Sequence, residues 1–168
     1  MNWMAPTAHS LEIALLLYVA MTDVATRLIQ NETCLALALL GIASQFAGPT
    51  HIAESLVAAT ILFLLLLVVY QRGAIGGGDV KLLVALAIGL PFAGVMQLLT
   101  VTALAGGVLA IWHLLMRRLP PPRPAPSGSS FLRRVTAVER WRHLRRAPLP
   151  YGVAIACGGI WTVFSRGF

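Results

Sequence analysis

Residues 76–116 read GGGDVKLLVALAIGLPFAGVMQLLTVTALAGGVLAIWHLLM. From Val80 to Met116 the one charged side chain is Lys81, and this apolar run is too long for a single membrane crossing, which takes about 20 residues. Gly89-Leu90-Pro91 offers a break, because proline removes a helical donor and glycine loosens the backbone. The run therefore divides into two helices, Val80 to Ala93 and Gly94 to Met116. Further apolar stretches lie at Leu11 to Thr22, Thr33 to Ala47, Ile52 to Tyr70 and Tyr151 to Phe164. The expectation is an all-α, polytopic membrane protein of about six transmembrane helices. Residues 1–116 hold five of them, 117–150 form an Arg/Pro-rich loop, and 151–168 hold the last.

Composition agrees. The 168 residues are 58% hydrophobic and 11% charged, with mean hydropathy +0.80, whereas a soluble domain carries about 25% charged residues. The net charge of +7 comes from 13 Lys+Arg against 6 Asp+Glu, and all the cations but Lys81 are arginine. Most lie between Arg117 and Arg146, which favours membrane orientation over a nucleic-acid surface. If six helices alternate, Arg27, Arg72, Lys81 and the 117–150 loop share one face, and Arg166 stands alone on the other. The positive-inside rule makes the crowded face cytoplasmic and places both termini outside. Met1 to Ser10 lacks the Lys or Arg of a signal-peptide n-region, so the first apolar stretch is expected to stay as a helix. Within the loop, Phe131, Leu132, Val135, Val138, Trp141 and Leu144 alternate with arginines. That spacing suits either an amphipathic helix on anionic lipid or a solvated basic loop.

Several residues carry little chemistry. Cys34 and Cys157 lie far apart without metal-ligand spacing, which excludes a disulfide scaffold and a zinc ribbon. Both are expected to pack inside helices. His9, His51, His113 and His143 share no i,i+4 spacing, so neither a metal nor another cofactor is expected. His51 and Glu54 read as interfacial residues at the outer end of the third helix, and Trp3, Trp112, Trp141 and Trp161 suit an aromatic belt.

The acidic residues are Glu12, Asp23, Glu32, Glu54, Asp79 and Glu139, so the chain has two aspartates. Asp23 closes LEIALLLYVAMTD and Asp79 opens DVKLLVALAIGL, which puts both at cytoplasmic helix ends. Ionisable groups at a membrane boundary are costly and point to function. Two facing carboxylates can share a proton, the ionised one accepting a proton from water while the neutral one polarises a carbonyl. Taken singly, Asp79 also suits a helix N-cap and Asp23 an interfacial helix end. Gly76, Gly77 and Gly78 leave room for positive φ and for an extended peptide beside Asp79. No G-x-x-x-x-G-K-[ST] pattern accompanies them, which argues against a nucleotide site.

These motifs carry a resemblance. GGGD at 76–79 is similar to the G-x-G-D signature of intramembrane aspartic proteases, and DVATRLIQN at 23–31 resembles the Asp…Arg-x-Ile-Pro-Asn segment of type IV prepilin peptidases. LPYGVAIACGG from Leu149 resembles the start of the last helix in the short branch of that family that serves tight-adherence (Flp-type) pili. The resemblance implies an aspartic endopeptidase of the bacterial inner membrane that removes the leader of prepilins or pseudopilins at the cytoplasmic face. It implies Asp23 and Asp79 as the catalytic pair, with Gly76 and Gly78 completing the site and Arg27, Asn31 and Lys81 supporting it. Arg27 or Lys81 is expected to pair with an acidic residue near the start of the mature pilin. The family's proline is here Gln30, which changes the expected start of the second helix. The cysteine-motif domain of longer members is absent, so N-methylation of the pilin gains no support. Two other classes fit the composition. One is a small proton-coupled transporter, which would want its carboxylates near the midplane; the other is a non-catalytic pilus or secretion assembly subunit.

Overall fold

The computed structural model describes residues 4–46, 51–117 and 149–166. Six helices occur among them, and no strand: α1 (Met4–Thr26), α2 (Asn31–Gln45), α3 (Ile52–Gln71), α4 (Gly77–Ala87), α5 (Phe92–Arg117) and α6 (Tyr151–Ser165). Three stretches, Thr7–Thr26, Ile52–Gln71 and Phe92–Met116, are long and apolar enough to cross a membrane. Tyr151–Ser165 is apolar but shorter. The chain is therefore a helical membrane protein.

The boundaries sharpen the sequence expectations. α1 starts at Met4 rather than Leu11, since the polar residues Thr7 to Ser10 continue the helix. The expected break in the long apolar run is present, but it falls earlier than Ala93. α4 ends at Ala87 and α5 begins at Phe92. The Pro91 carbonyl accepts the Val95 N–H at 3.0 Å, opening α5. Proline's missing donor costs nothing at a helix start, and this is why the chain turns there.

Residues 1–106 and 150–168 form one compact unit and 107–149 a second. In the second, the described helix is the remainder of α5, with Ile111, Trp112, Leu114 and Leu115 exposed and His113 buried. The amphipathic pattern at 131–144 lies outside the described residues.

In the first unit, Leu16, Leu37, Leu82, Leu98 and Ile155 are fully buried, so α1, α2, α4, α5 and α6 all contribute to one core. Its exterior is also apolar, Leu65 being 63% and Leu104 67% exposed. That surface suits lipid, where helices gain from close packing rather than from leaving the hydrocarbon. Gly41 and Gly89 show such packing. A Cβ on Gly41 would lie 2.8 Å from the Gly89 Cα, so α2 touches the α4–α5 turn backbone to backbone. Cys34 is buried as expected, whereas Cys157 is exposed, because its position on α6 faces away from the helices that cover Ala156 and Gly158.

Polar contacts sort the helix ends into two groups. At one end, Gln45 Nε2 donates to the Ile88 carbonyl and to Ser55 Oγ, at 3.0 and 3.2 Å. Glu54 accepts the Phe92 N–H at 2.8 Å, and so does more than sit at an interface: it satisfies a free donor at the start of α5. Arg166 donates to the carbonyls of Gly89 and Thr162 and lies 3.9 Å from the buried Glu12. At the opposite end the last turn of α1 meets the first turn of α6, and the α1–α2 connection meets the first turn of α4. Both aspartates are there.

Candidate active site

Asp23 lies in the last turn of α1 and is only 5% exposed. One of its oxygens, Oδ2, accepts the Gly152 N–H at 2.9 Å. Gly152 occupies the first turn of α6, where backbone donors have no partner within their own helix. A Cβ at Gly152 would come within 2.8 Å of that oxygen and 2.9 Å of Cγ, so only glycine lets the carboxylate approach. α1 ends just beyond. Arg27 still donates its N–H to the Asp23 carbonyl at 2.9 Å, but its φ of 60° turns the chain away. A non-glycine residue in this left-handed region is strained by about 1–2 kcal/mol.

Asp79 stands in the first turn of α4, ahead of the apolar stretch Val80 to Ala93. The N-cap of this helix is Gly76, and Asp79, three residues on, is not the N-cap itself but takes the Gly76 N–H as the third residue of a capping box does. Its carboxylate folds back over Gly76, with Oδ2 3.0 Å from where a Cβ would sit. Burial first, and the charge of Asp23 second, push the Asp79 carboxyl up to about 6, against the lowering influence of the Gly76 N–H. The structure thus brings the two aspartates within electrostatic reach of each other.

The glycine run works by close approach rather than by positive φ. Gly76 has φ −74°, and among the described glycines Gly73 alone has positive φ, 71°. A Cβ on Gly78 would meet Ile29 Cβ at 3.3 Å, and one on Gly77 would meet the Tyr70 ring at 3.4 Å. The α1–α2 connection and the end of α3 therefore press on the start of α4. Lys81, exposed, donates to Asn31 Oδ1 at 3.1 Å and ties α4 to the first residue of α2. Arg27, Asn31, Gly76, Gly78 and Lys81 all gather at the aspartate end of the helices. Gln30 takes the proline's place without disturbing the helix start. Its φ of −75° and ψ of 139° are proline-like, and α2 begins at Asn31.

Gly152 was not singled out by composition or spacing, although the motif containing it was legible. The available signal was a glycine at the second position of an apolar helix. Tyr151 belongs to the same neighbourhood, its ring lying where a Cβ on Gly106 of α5 would fall.

No curated protein and no solved structure matches the chain. A family model, that of the type IV leader peptidase family, matches residues 11–111. This stretch contains Asp23, Arg27, Asn31, Gly76, Gly78, Asp79 and Lys81, and stops short of α6. By that match over more than half of its length, the chain belongs to the type IV leader peptidase family.

Proposed function

We propose that the protein is a membrane-embedded aspartic endopeptidase of the bacterial inner membrane that removes the leader peptide from Flp-type prepilins or pseudopilins at the cytoplasmic face. The observation that carries this is the pairing of Asp23 and Asp79, the only aspartates in the chain, at helix ends opened by glycines.

Their chemistry would run as follows from one shared proton. The ionised carboxylate takes a proton from water, whose oxygen adds to the scissile carbonyl carbon. The protonated carboxyl gives its proton to the carbonyl oxygen, yielding a neutral gem-diol. On collapse, the first carboxyl returns its proton to the departing nitrogen as the C–N bond breaks, and the second recovers a proton from a gem-diol hydroxyl. Both groups finish as they began. The exposed Lys81, held by Asn31, is the cation we place against an acidic residue near the start of the mature pilin. Lys81→Gln should slow cleavage of a pilin carrying that residue and leave a pilin lacking it unaffected.

Co-expression with a prepilin tests the function, scored by the shift to mature size. Asp23→Asn and Asp79→Asn, each present at normal level in the membrane, should abolish the shift. Maturation that persists in both variants would refute the proposal.

A further inference from the structure

Two carboxylates that share a proton need not be equivalent, and their surroundings differ. Asp23 lies at the C-terminal end of α1, where the helix's own dipole disfavours an anion. Yet it is inserted into the N-terminal turn of a second helix, α6, and accepts a backbone N–H there at 2.9 Å. A helix N-terminus favours an anion through its free N–H groups and its dipole together. The close approach depends on Gly152, since a side chain would strike Oδ2, Cγ and Cβ of Asp23. Asp79, half-buried in the first turn of α4, accepts the N–H of its own helix's N-cap, Gly76, rather than that of a second helix, and burial followed by the charge of Asp23 pushes its carboxyl up to about 6.

Other charged and titratable groups stand at this end, among them Arg72 at the end of α3 and Tyr70, whose ring lies against Gly77. Arg27 lies on the chain leaving α1, four residues beyond Asp23, to whose carbonyl it donates its backbone N–H. Lys81 on α4 is exposed and engaged with Asn31, and Glu32 is exposed in the first turn of α2. α6 brings Tyr151 to this end but no charged side chain.

We propose that the first turn of α6, through the Gly152 N–H, holds Asp23 as the ionised carboxylate and makes it the general base, with Asp79 the proton-carrying general acid. Gly152 is then a positioning residue, acting through Asp23. This assignment rests on the peptidase proposal for its chemical meaning, but the ionisation order it requires is a property of the substrate-free protein. The positioning helix lies beyond the residues matched by the family model.

The chain's two aspartates make a direct test available. Full-length protein labelled with 13C-carboxyl aspartate, in detergent micelles, should give two side-chain carboxyl signals, assigned with Asp23→Asn and Asp79→Asn. In a pH titration the lower step should appear mainly in the Asp23 signal and the upper step mainly in that of Asp79. Gly152→Ala should move the lower step up by about one pH unit, the scale of one hydrogen bond to a charged group. Gly107→Ala, made where a Cβ meets nothing within 4 Å, should leave it in place. A lower step carried by Asp79 would overturn the assignment, as would a folded Gly152→Ala protein whose Asp23 step has not moved. If Gly152→Ala does not fold, the wild-type order still decides. Because no substrate is used, a failed titration order leaves the prepilin assay standing, and a failed prepilin assay leaves the titration standing.

Discussion

At the scale of single residues, the geometry around Asp79 sets a pH dependence. With its carboxyl pushed up to about 6 by burial and by Asp23, Asp79 is protonated below that pH and loses its proton above it. A general acid is useful only while protonated, so kcat/KM for a prepilin peptide should fall as pH rises through about 6. The corresponding limb of kcat should lie higher, because a bound peptide excludes water and disfavours the charged form further. A pH–rate profile on reconstituted enzyme checks both. Arg27 offers a separate prediction. Its φ of 60° is costly for any residue with a Cβ, so Arg27→Gly should be more stable than Arg27→Ala by about 1 kcal/mol, read as a higher midpoint of thermal unfolding in detergent. The aspartates were legible in the sequence because so few acidic residues compete with them. Gly152 was not, since its role depends on a contact across 129 positions of chain, Gly152 N–H to Asp23.

At the scale of helices, what positions the site is the way ends meet. Gln30 shows how a lost proline can leave a helix start unchanged. Its backbone already holds the angles proline would impose, and α2 begins one residue later. Gln30→Pro should therefore fold, and should raise stability by about 0.4–1 kcal/mol by restricting the unfolded chain. Loss of folding in that variant would show that residue 30 needs its N–H or its contact with Tyr18. Helix positions were readable wherever an apolar run was bounded by a breaker, as at Gly89-Leu90-Pro91. The exact ends of α1 and α4 were not, because the polar residues Thr7 to Ser10 continue a helix as readily as they precede one, and hydropathy does not report where backbone bonds stop. The glycines of 76–78 show the same limit. Their spacing implied room, and only the positions of Ile29 and Tyr70 reveal what fills it.

At the scale of the whole chain, Arg166 stood out as the one cation that alternation places away from the others. The structure gives it a packing role at the end opposite the aspartates, where it joins the α4–α5 turn, the end of α6 and the buried Glu12. Arg166→Ala would leave Glu12 buried without its counter-charge and should cost about 1–3 kcal/mol, with Glu12→Gln restoring part of it. Thermal unfolding of the single and double variants measures that coupling. The +7 charge thus includes a cation with a local use, and the low acidic count isolates two carboxylates in a largely apolar molecule. The central claim is that these two act as a unit. The most direct measurement is the single-turnover cleavage rate of a prepilin by purified, reconstituted wild type, Asp23→Asn, Asp79→Asn and the double variant. Each single substitution should lower the rate by about 10³-fold or more and the double should be no slower than either, as for groups that work only together. A single variant that cleaves at close to the wild-type rate would contradict the account.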